Sequence, residues 1–390
     1  MEYNVAYYEE FHRVYLKKDV FLYPYYLAKA QKISLRYYFG RNLEKGYQEE
    51  HRGAYIYGCG NKKRSIIRQF INLWEYVITP AKHIRTLFLI HTGYDNMLTI
   101  VLYKLRNPKG KVVLMADMDI ESAESLCLND FVFSKGIKGW CKRKLLDFFF
   151  NALDVISVEK ENVAHLVSEM ITRNHWRTRV ACCHPCFDIE NYYTLGLKRI
   201  SYEKKEHAFL TVGRIGTYQK NTDMILDALT HVDMKDWKFY FVGPMINGFD
   251  MQSPSNYQAV FDSFLEKNPE KKGHVIVVGE IKDTKTLYEY YIQSSVFVLT
   301  SRYEGFANVT AEAAACGCYL LGTDVGGMEP MSNGWKFGSK VAQGDANGLA
   351  IIMQSIIDGR KEINPEYAIN EDDVRWDKMI ERSILPLLQS

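Results

Sequence analysis

The chain has 390 residues, 47% of them hydrophobic, 25% charged and 14% aromatic, with 27 Tyr; this excludes a small disulfide-stapled scaffold and a disordered chain, and calls for two domains. The net charge of +2 is unevenly spread: residues 1–200 hold 30 Lys and Arg against 21 Asp and Glu (+9), and residues 201–390 hold 19 against 26 (−7). Uncharged stretches stop at about a dozen residues, short of the roughly 20 that cross a bilayer, and MEYNVAYYEEF lacks the basic and then apolar pattern of a leader, so a cytoplasmic protein is expected.

Strand-like runs recur from the start, at NVAYY near residue 4, AYIYGC near 54, TLFLIHTG near 86, KVVLMADM near 111, DVISVEK near 154 and RVACCHP near 179. Helix-like segments separate them, and that alternation predicts a parallel sheet with crossover helices. Basic and aromatic residues mix in YLKKDVFLYPYYLAKAQK, NKKRSIIRQFINLWEY and GIKGWCKRKLLDFFF. Such segments suit either amphipathic helices with a solvated basic face or a surface for anionic lipid or an anionic acceptor. No recognised nucleic-acid motif accompanies the charge. The eight Cys lack the paired C-x-x-C spacings of a zinc site, and the densest cluster, Cys182, Cys183, His184, Pro185 and Cys186, reads as buried or loop thiols.

IENYYTLGLKRISYEKKEH is poor in strand pattern, which places a linker around residues 193–206. A second series follows at HAFLTVGRI near 207, WKFYFVGP near 237, HVIVVGEI near 274, SVFVLTS near 295 and CYLLGTDVGG near 318. The expected fold is α/β, with two doubly wound Rossmann-like domains, 1–200 and 201–372, facing a central cleft, where open α/β sheets bind ligands. In residues 373–390 an apolar stripe at Val374, Met379, Ile380, Ile384 and Leu387 predicts a helix that either ends the second domain or packs back on the first.

Chemistry concentrates in the second series. LTSRYEGFANVTAEAAACGCYLLGTDVGG reads as a strand ending at Ser301, a loop with Glu304 and Gly305, and a small-residue helix from Asn308 to Ala315, stopped by Gly317. A helix that starts behind such a loop aims its first amides and positive dipole end at the sheet edge, which suits a phosphate. Glu304 and Glu312 beside a phosphate would repel it unless they accept hydrogen bonds from hydroxyls, as on a sugar or ribose. In FLTVGRIGTYQKNTDMILDAL, Arg214 follows a strand end and Lys220 precedes a helix capped at Asn221 or Thr222. Arg214 can grip a diphosphate with two parallel bonds while Lys220 adds a compact charge.

These residues carry a resemblance. Glu304 and Glu312 with seven residues between them, EGFANVTAEAAACG, VGRI…QKN about ninety residues earlier, and VGG after the next strand together resemble glycosyltransferase family 4, the retaining GT-B transferases. The likeness is strong over residues 207–330, weaker over 83–190 in DVISVEKENVAHLV and HPCFDIENY, present in the closing RWDKMIERSI, and least over 1–80.

The resemblance implies a metal-independent enzyme without cofactor, whose donor is a nucleotide diphosphate sugar and whose acceptor is a glycan or lipid-linked hydroxyl. It implies that Arg214 and Lys220 bind the donor diphosphate, Glu312 the ribose and Glu304 the donor sugar. The backbone of Gly305, Phe306, Ala307, Asn308 and Val309 would hold phosphate and sugar oxygens, and the base would lie near Glu280 and Ile281. EGFANV is close to strings that occur with UDP-sugars, which favours UDP. Where the family often has a His touching the donor sugar, this chain has Asp117; His91, after the preceding strand, is a second candidate and the proposed acceptor contact. KKDVFLYPYY lacks the family's Gly-rich loop.

The expected reaction is hexosyl transfer with retention, Arg214, Lys220, Glu304 and Asp117 being the catalytic set, in cell-surface polysaccharide biosynthesis, with the basic first domain resting on an anionic inner membrane face. Two other readings stand beside it: a nucleotide-binding oxidoreductase, for which no G-x-G-x-x-G follows the first strand, and a non-catalytic partner subunit.

Overall fold

A computed structural model describes residues 2–7, 10–39, 42–60, 71–91, 94–116, 118, 120–121, 123–124, 137–246 and 256–389. The chain forms two compact units, Met1–Pro185 together with Trp376–Ser390, and Cys186–Arg375. The division falls after Pro185 and not within 193–206, as expected from the sequence. The reason is burial: Phe187, Ile189, Tyr192 and Leu197 belong to a core of the second unit, so the stretch without strand pattern that resembled a linker starts inside that unit.

The first unit is built on an eight-stranded sheet of β1 (Glu2–Tyr7), β2 (Ser34–Phe39), β3 (Gln48–His51), β4 (Ala54–Gly58), β5 (Ile84–Ile90), β6 (Lys111–Met115), β7 (Val155–Val158) and β8 (Arg179–Cys182), in the order β3-β4-β2-β1-β5-β6-β7-β8. All neighbours run parallel except the edge pair β3 and β4. Helices α1 (Asp19–Ala30), α2 (Tyr94–Arg106), α3 (Ile137–Ala152) and α4 (Glu161–Arg173) make crossovers. Two strands escaped the sequence reading. SLRYYF of β2 continues without a break from a helix-like run, and QEEH of β3 is a polar edge strand with no apolar alternation to betray it.

Aromatic residues fill this core. Tyr23 of α1 meets Phe88 of β5 edge-on at 5.0 Å and stacks on Trp376 at 5.9 Å. The closing helix Trp376–Ser383 therefore packs on the first unit, with Trp376 only 1% exposed and Ile380 and Ile384 fully buried. Removing an indole from such a site leaves a cavity. Trp376→Ala is expected to destabilise the first unit by about 3–5 kcal/mol, measured as a lower denaturation midpoint in urea; an unchanged midpoint would show that the closing helix does not hold the unit together.

The second unit has a six-stranded, all-parallel sheet of β9 (Glu206–Val212), β10 (Lys238–Val242), β11 (Val275–Gly279), β12 (Ser294–Leu299), β13 (Tyr319–Thr323) and β14 (Gly338–Val341), in the order β11-β10-β9-β12-β13-β14. Both faces are covered, so successive residues feed opposite cores. Phe209, Val298 and Leu321 join one core with helices α5 (Thr222–Thr230), α6 (Tyr257–Lys267) and α9 (Ala346–Ile357). Leu210, Phe297 and Leu320 join the other with α7 (Thr284–Gln293) and α8 (Asn308–Ala315). β14 was not expected, since GSKV is too short and polar to read as a strand. The strand order reverses direction between β9 and β12, so the carboxyl ends of these two neighbours form the switch point at which a doubly wound sheet leaves room for a ligand.

Candidate functional site

Two loops meet at that switch point. The loop after β9 carries Arg214, Gln219 and Lys220 into α5, and turns back through Asn221, which adopts a left-handed conformation (φ 50). The loop after β12 carries Ser301 to Glu304. Lys220 donates through Nζ to Glu304 Oε1 at 2.5 Å, and Ser301 Oγ donates to the same oxygen at 2.7 Å. Gln219 bridges the loops: its amide Nε2 donates to Glu304 Oε2 and to the Tyr303 carbonyl, both at 3.2 Å, while its Oε1 accepts from Arg214 Nη2 at 2.5 Å. Two further bonds complete the seam, from the Arg302 amide to the Gln219 carbonyl at 2.8 Å and from the Thr300 hydroxyl to the Asn221 carbonyl at 3.1 Å.

Arg214, Lys220 and Glu304, which the sequence separates by up to ninety residues, thus form one connected polar cluster. Both Lys220 and Glu304 are mostly buried, so their attraction is less screened by water than in a surface pair. Gln219 was missed by sequence reasoning. Nothing in TYQKN distinguishes a bridging glutamine from a solvated loop residue, because its partners lie on another strand's loop.

Beyond Glu304 the chain enters α8. Phe306 and Ala307 are buried, and VGG explains how: a side chain at Gly326, where φ is +58, would press on Ala307 N and Glu304 Cβ at 3.0 Å, and one at Gly327 would meet Phe306 Cζ at 2.4 Å. The two glycines let β13's exit loop lie directly under the Glu304 to Ala307 turn. Ala307 sits at the helix N-cap and makes no side-chain cap bond; the Thr310 amide donates to the Ala307 carbonyl at 2.9 Å, which leaves the amides of Asn308 and Val309 as the first-turn donors suited to an outside acceptor. Asn308 Oδ1 is buried and takes no hydrogen bond among the described residues. Ala311, Ala313, Ala314 and Ala315 are buried, and Gly317 (φ +75) ends the helix. Val309 packs against the core beside α8, and Gly305 is exposed.

Glu312 stands outside the Arg214, Lys220 and Glu304 cluster. Its Oε2 accepts a 2.8 Å bond from the Tyr291 hydroxyl on α7. Ile281, on the loop between β11 and α7, is half-buried against the same core, and Glu280 beside it is exposed. On the other side of the switch-point loops a cavity of about 500 Å³ opens between α5 and α9, lined by Asn221, Asp223, Asp227, Arg302 and Gln343. The space against Gly213 and Arg214 is only about 10 Å³, because the Lys220 chain fills it.

In the first unit, His91 lies at the carboxyl end of β5, the neighbour of β1 at that sheet's own order reversal. It is exposed and holds φ at +64, with its carbonyl accepting from Asn96 Nδ2 at 2.7 Å. Left-handed geometry at a non-glycine residue is a mark of function as much as of turn-making. Asp117 lies outside the described residues.

Cys183 and Cys186 are buried and Cys182 is half-buried, and among the described residues no group of three His, Cys, Asp or Glu could hold a metal ion. Burial pushes the Cys182 thiol up to about 11 and that of Cys183 well above its ordinary range. Cys182 is therefore expected to react with a maleimide at pH 8 roughly a hundredfold more slowly than an exposed thiol, with the rate rising about tenfold per pH unit until about pH 11. Mass mapping of the labelled sites checks this; fast labelling of Cys182 would mean that its surroundings are not as described.

Residues 206–358 match the family model described as Glycosyl transferases group 1. The Amylovoran biosynthesis glycosyltransferase AmsD of Erwinia amylovora is 28% identical over 221 residues, 53% of this chain and 57% of that protein. An uncharacterized 41.2 kDa protein in the cps region of Klebsiella pneumoniae is 25% identical over 173 residues, 43% of each chain. The matches thus span about half the length of these curated relatives. Over the whole chain the fold matches the lipopolysaccharide outer core galactosyltransferase WaaB with a TM-score of 0.62 at 12% identity, covering 100% of this chain and 97% of that one. It also matches Anabaena Alr3699/HepE in complex with UDP and glucose, with a TM-score of 0.58 at 15% identity and the same coverage. The fold is GT-B, two Rossmann-like domains with parallel sheets. The match to the group 1 glycosyl transferase model lies within its second unit.

Proposed function

We propose that the protein is a retaining glycosyltransferase that moves a hexosyl unit from a nucleotide diphosphate sugar, with UDP as the carrier, to a hydroxyl of a glycan or lipid-linked acceptor during the assembly of a cell-surface polysaccharide. The observation that carries this reading is the joining of Arg214, Lys220 and Glu304 at the switch point of the second sheet, next to the N-terminus of α8. The name of AmsD and the cps location of the Klebsiella relative support the polysaccharide setting. The UDP and glucose complex of the Anabaena protein supports the donor.

In this reading Arg214, Lys220 and the first amides of α8 take up the charge that grows on the diphosphate as its bond to the sugar lengthens. A diphosphate also gives Lys220 a second anionic partner beside Glu304, so donor binding redistributes a contact that the protein already makes. Glu304 receives donor-sugar hydroxyls, the backbone from Gly305 to Val309 holds phosphate and sugar oxygens, Glu312 takes the ribose and the base lies by Ile281. The acceptor hydroxyl attacks from the face the phosphate leaves, and a phosphate oxygen takes its proton, so no covalent nucleophile is required. With two side-chain cations and a helix dipole serving the leaving group, the reaction is proposed to run without metal. Asp117 and His91 are the candidates for orienting donor and acceptor.

We further propose a cytoplasmic location with contact to an anionic bilayer. No helix among the described residues is long and apolar enough to cross a membrane, but α3 exposes Trp140 (63%), Leu145 (52%) and Phe148 (42%) along with Lys144, and α2 exposes Leu98 and Leu105. Apolar anchors interleaved with cations on adjacent helices suit an interface between headgroups and acyl chains. Trp140→Ala combined with Phe148→Ala is expected to reduce co-sedimentation with phosphatidylglycerol vesicles several-fold at low salt; no binding by the unaltered protein would end the membrane proposal.

For the chemistry, Arg214→Ala or Lys220→Ala is expected to cost about 3 kcal/mol of transition-state stabilisation, on the order of a hundredfold in kcat/KM. Transfer of label from a UDP-sugar to glycan and lipid-linked acceptors is the measurement, and unchanged kcat/KM in both variants would remove the diphosphate assignment.

A further inference from the structure

We propose that Tyr291 is a positioning residue of the nucleotide site: its hydroxyl holds the Glu312 carboxylate in the orientation that recognises the ribose hydroxyls of the bound nucleotide. The proposal rests on the reading of Glu312 given above and adds to it a residue that neither the motif nor the comparisons point to.

Tyr291 is fully buried, and a buried phenol must find an acceptor for its O–H. It finds Glu312 Oε2 at 2.8 Å, across the gap between α7 and α8. A hydrogen bond to a carboxylate is stronger than one between neutral groups, so the Tyr291 hydroxyl restrains the torsions of the Glu312 side chain. Tyr291 remains a donor at every physiological pH, because burial first and the Glu312 charge second push its phenol well above its ordinary range.

The support behind Tyr291 is itself built. Its ring sits 5.9 Å from that of Phe297 in the core. Its backbone carbonyl accepts from Lys205 Nζ at 3.2 Å and from Cys318 Sγ at 3.1 Å. The buried Lys205 ammonium also takes the carbonyls of Ile292 at 2.7 Å and Ser294 at 3.1 Å. A cation thus closes the carboxyl end of α7, where the helix dipole favours it. The amino end of α7 follows the loop of Ile281, where the base is placed. One helix therefore anchors both halves of a nucleoside: the base side through its leading loop, the ribose side through Tyr291 and Glu312.

The test is isothermal titration of the full chain with UDP, GDP and ADP, followed by the 2′-deoxy and 3′-deoxy forms of whichever binds tightest. The unaltered protein is expected to prefer the ribonucleotide over at least one deoxy form by about tenfold or more, as fits loss of a bond to a charged acceptor. Tyr291→Phe keeps the ring and should cut that preference to within about threefold while leaving the affinity for the deoxy form unchanged. In a Glu312→Gln background the same substitution should have no further effect. Glu312→Asp leaves the Tyr291 ring in place and retracts the carboxylate by one methylene; it should lose the preference as well, which separates the carboxylate's position from its charge.

A preference that survives Tyr291→Phe, or survives Glu312→Asp, overturns the proposal. So does an equal weakening of ribonucleotide and deoxynucleotide in Tyr291→Phe, which is the mark of a packing residue alone. If the unaltered protein binds a nucleotide but shows no preference, or binds none, the ribose role of Glu312 fails and takes this proposal with it.

Discussion

The second unit depends on how two loops from neighbouring parallel strands settle their charges. Glu304 follows β12 and Lys220 follows β9, and the 2.5 Å bond between them ties the loops together where the strand order reverses. A carboxylate this buried needs donors on both oxygens. It has Lys220 and Ser301 on one and Gln219 on the other. The same amide returns its oxygen to Arg214, so a single connected network fixes the directions of both cations.

The arrangement follows from the sheet. Strands buried on both faces alternate their side chains between two cores, which leaves the strand ends and their loops as the places where polar groups can gather. Chemistry is consequently confined to one edge. α8 reaches that edge because its buried alanines allow close packing and because Gly326 and Gly327 leave room beneath the turn that precedes it. Glu312 emerges from the same helix but turns to α7, which gives the edge two polar centres with different supports: the charged network of Lys220, Glu304, Gln219 and Arg214, and a carboxylate held by a phenol.

The fold class and the second sheet were legible because each run such as HAFLTV or SVFVLT is a continuous apolar strand followed by a loop with Gly, Arg or Glu, a pattern with little ambiguity. The helix Asn308–Ala315 and its stop at Gly317 were equally legible from small-residue composition. The edge strand QEEH and the short GSKV escaped because their pairing is set by neighbours and not by their own residues. The boundary between units was misplaced because IENYYTLGL carries no strand pattern, while Ile189, Tyr192 and Leu197 turn into the second unit's core. Arg214, Lys220, Glu304 and Glu312 stood out by residue type and spacing, and the structure joins the first three in one network. Gln219 and Tyr291 did not stand out, since each acts through a partner on another element, and a lone Gln or Tyr carries no spacing signal.

The central claim is that the second unit holds a nucleoside diphosphate through the loops after β9 and β12. Thermal denaturation of the full chain with UDP, GDP, ADP and NAD tests it most directly, since a ligand at a hundred times its dissociation constant stabilises the folded state by about 2.7 kcal/mol. A rise in the transition temperature with UDP, and little or none with NAD, is the predicted result; a rise with NAD alone, or with none of the four, would contradict the account.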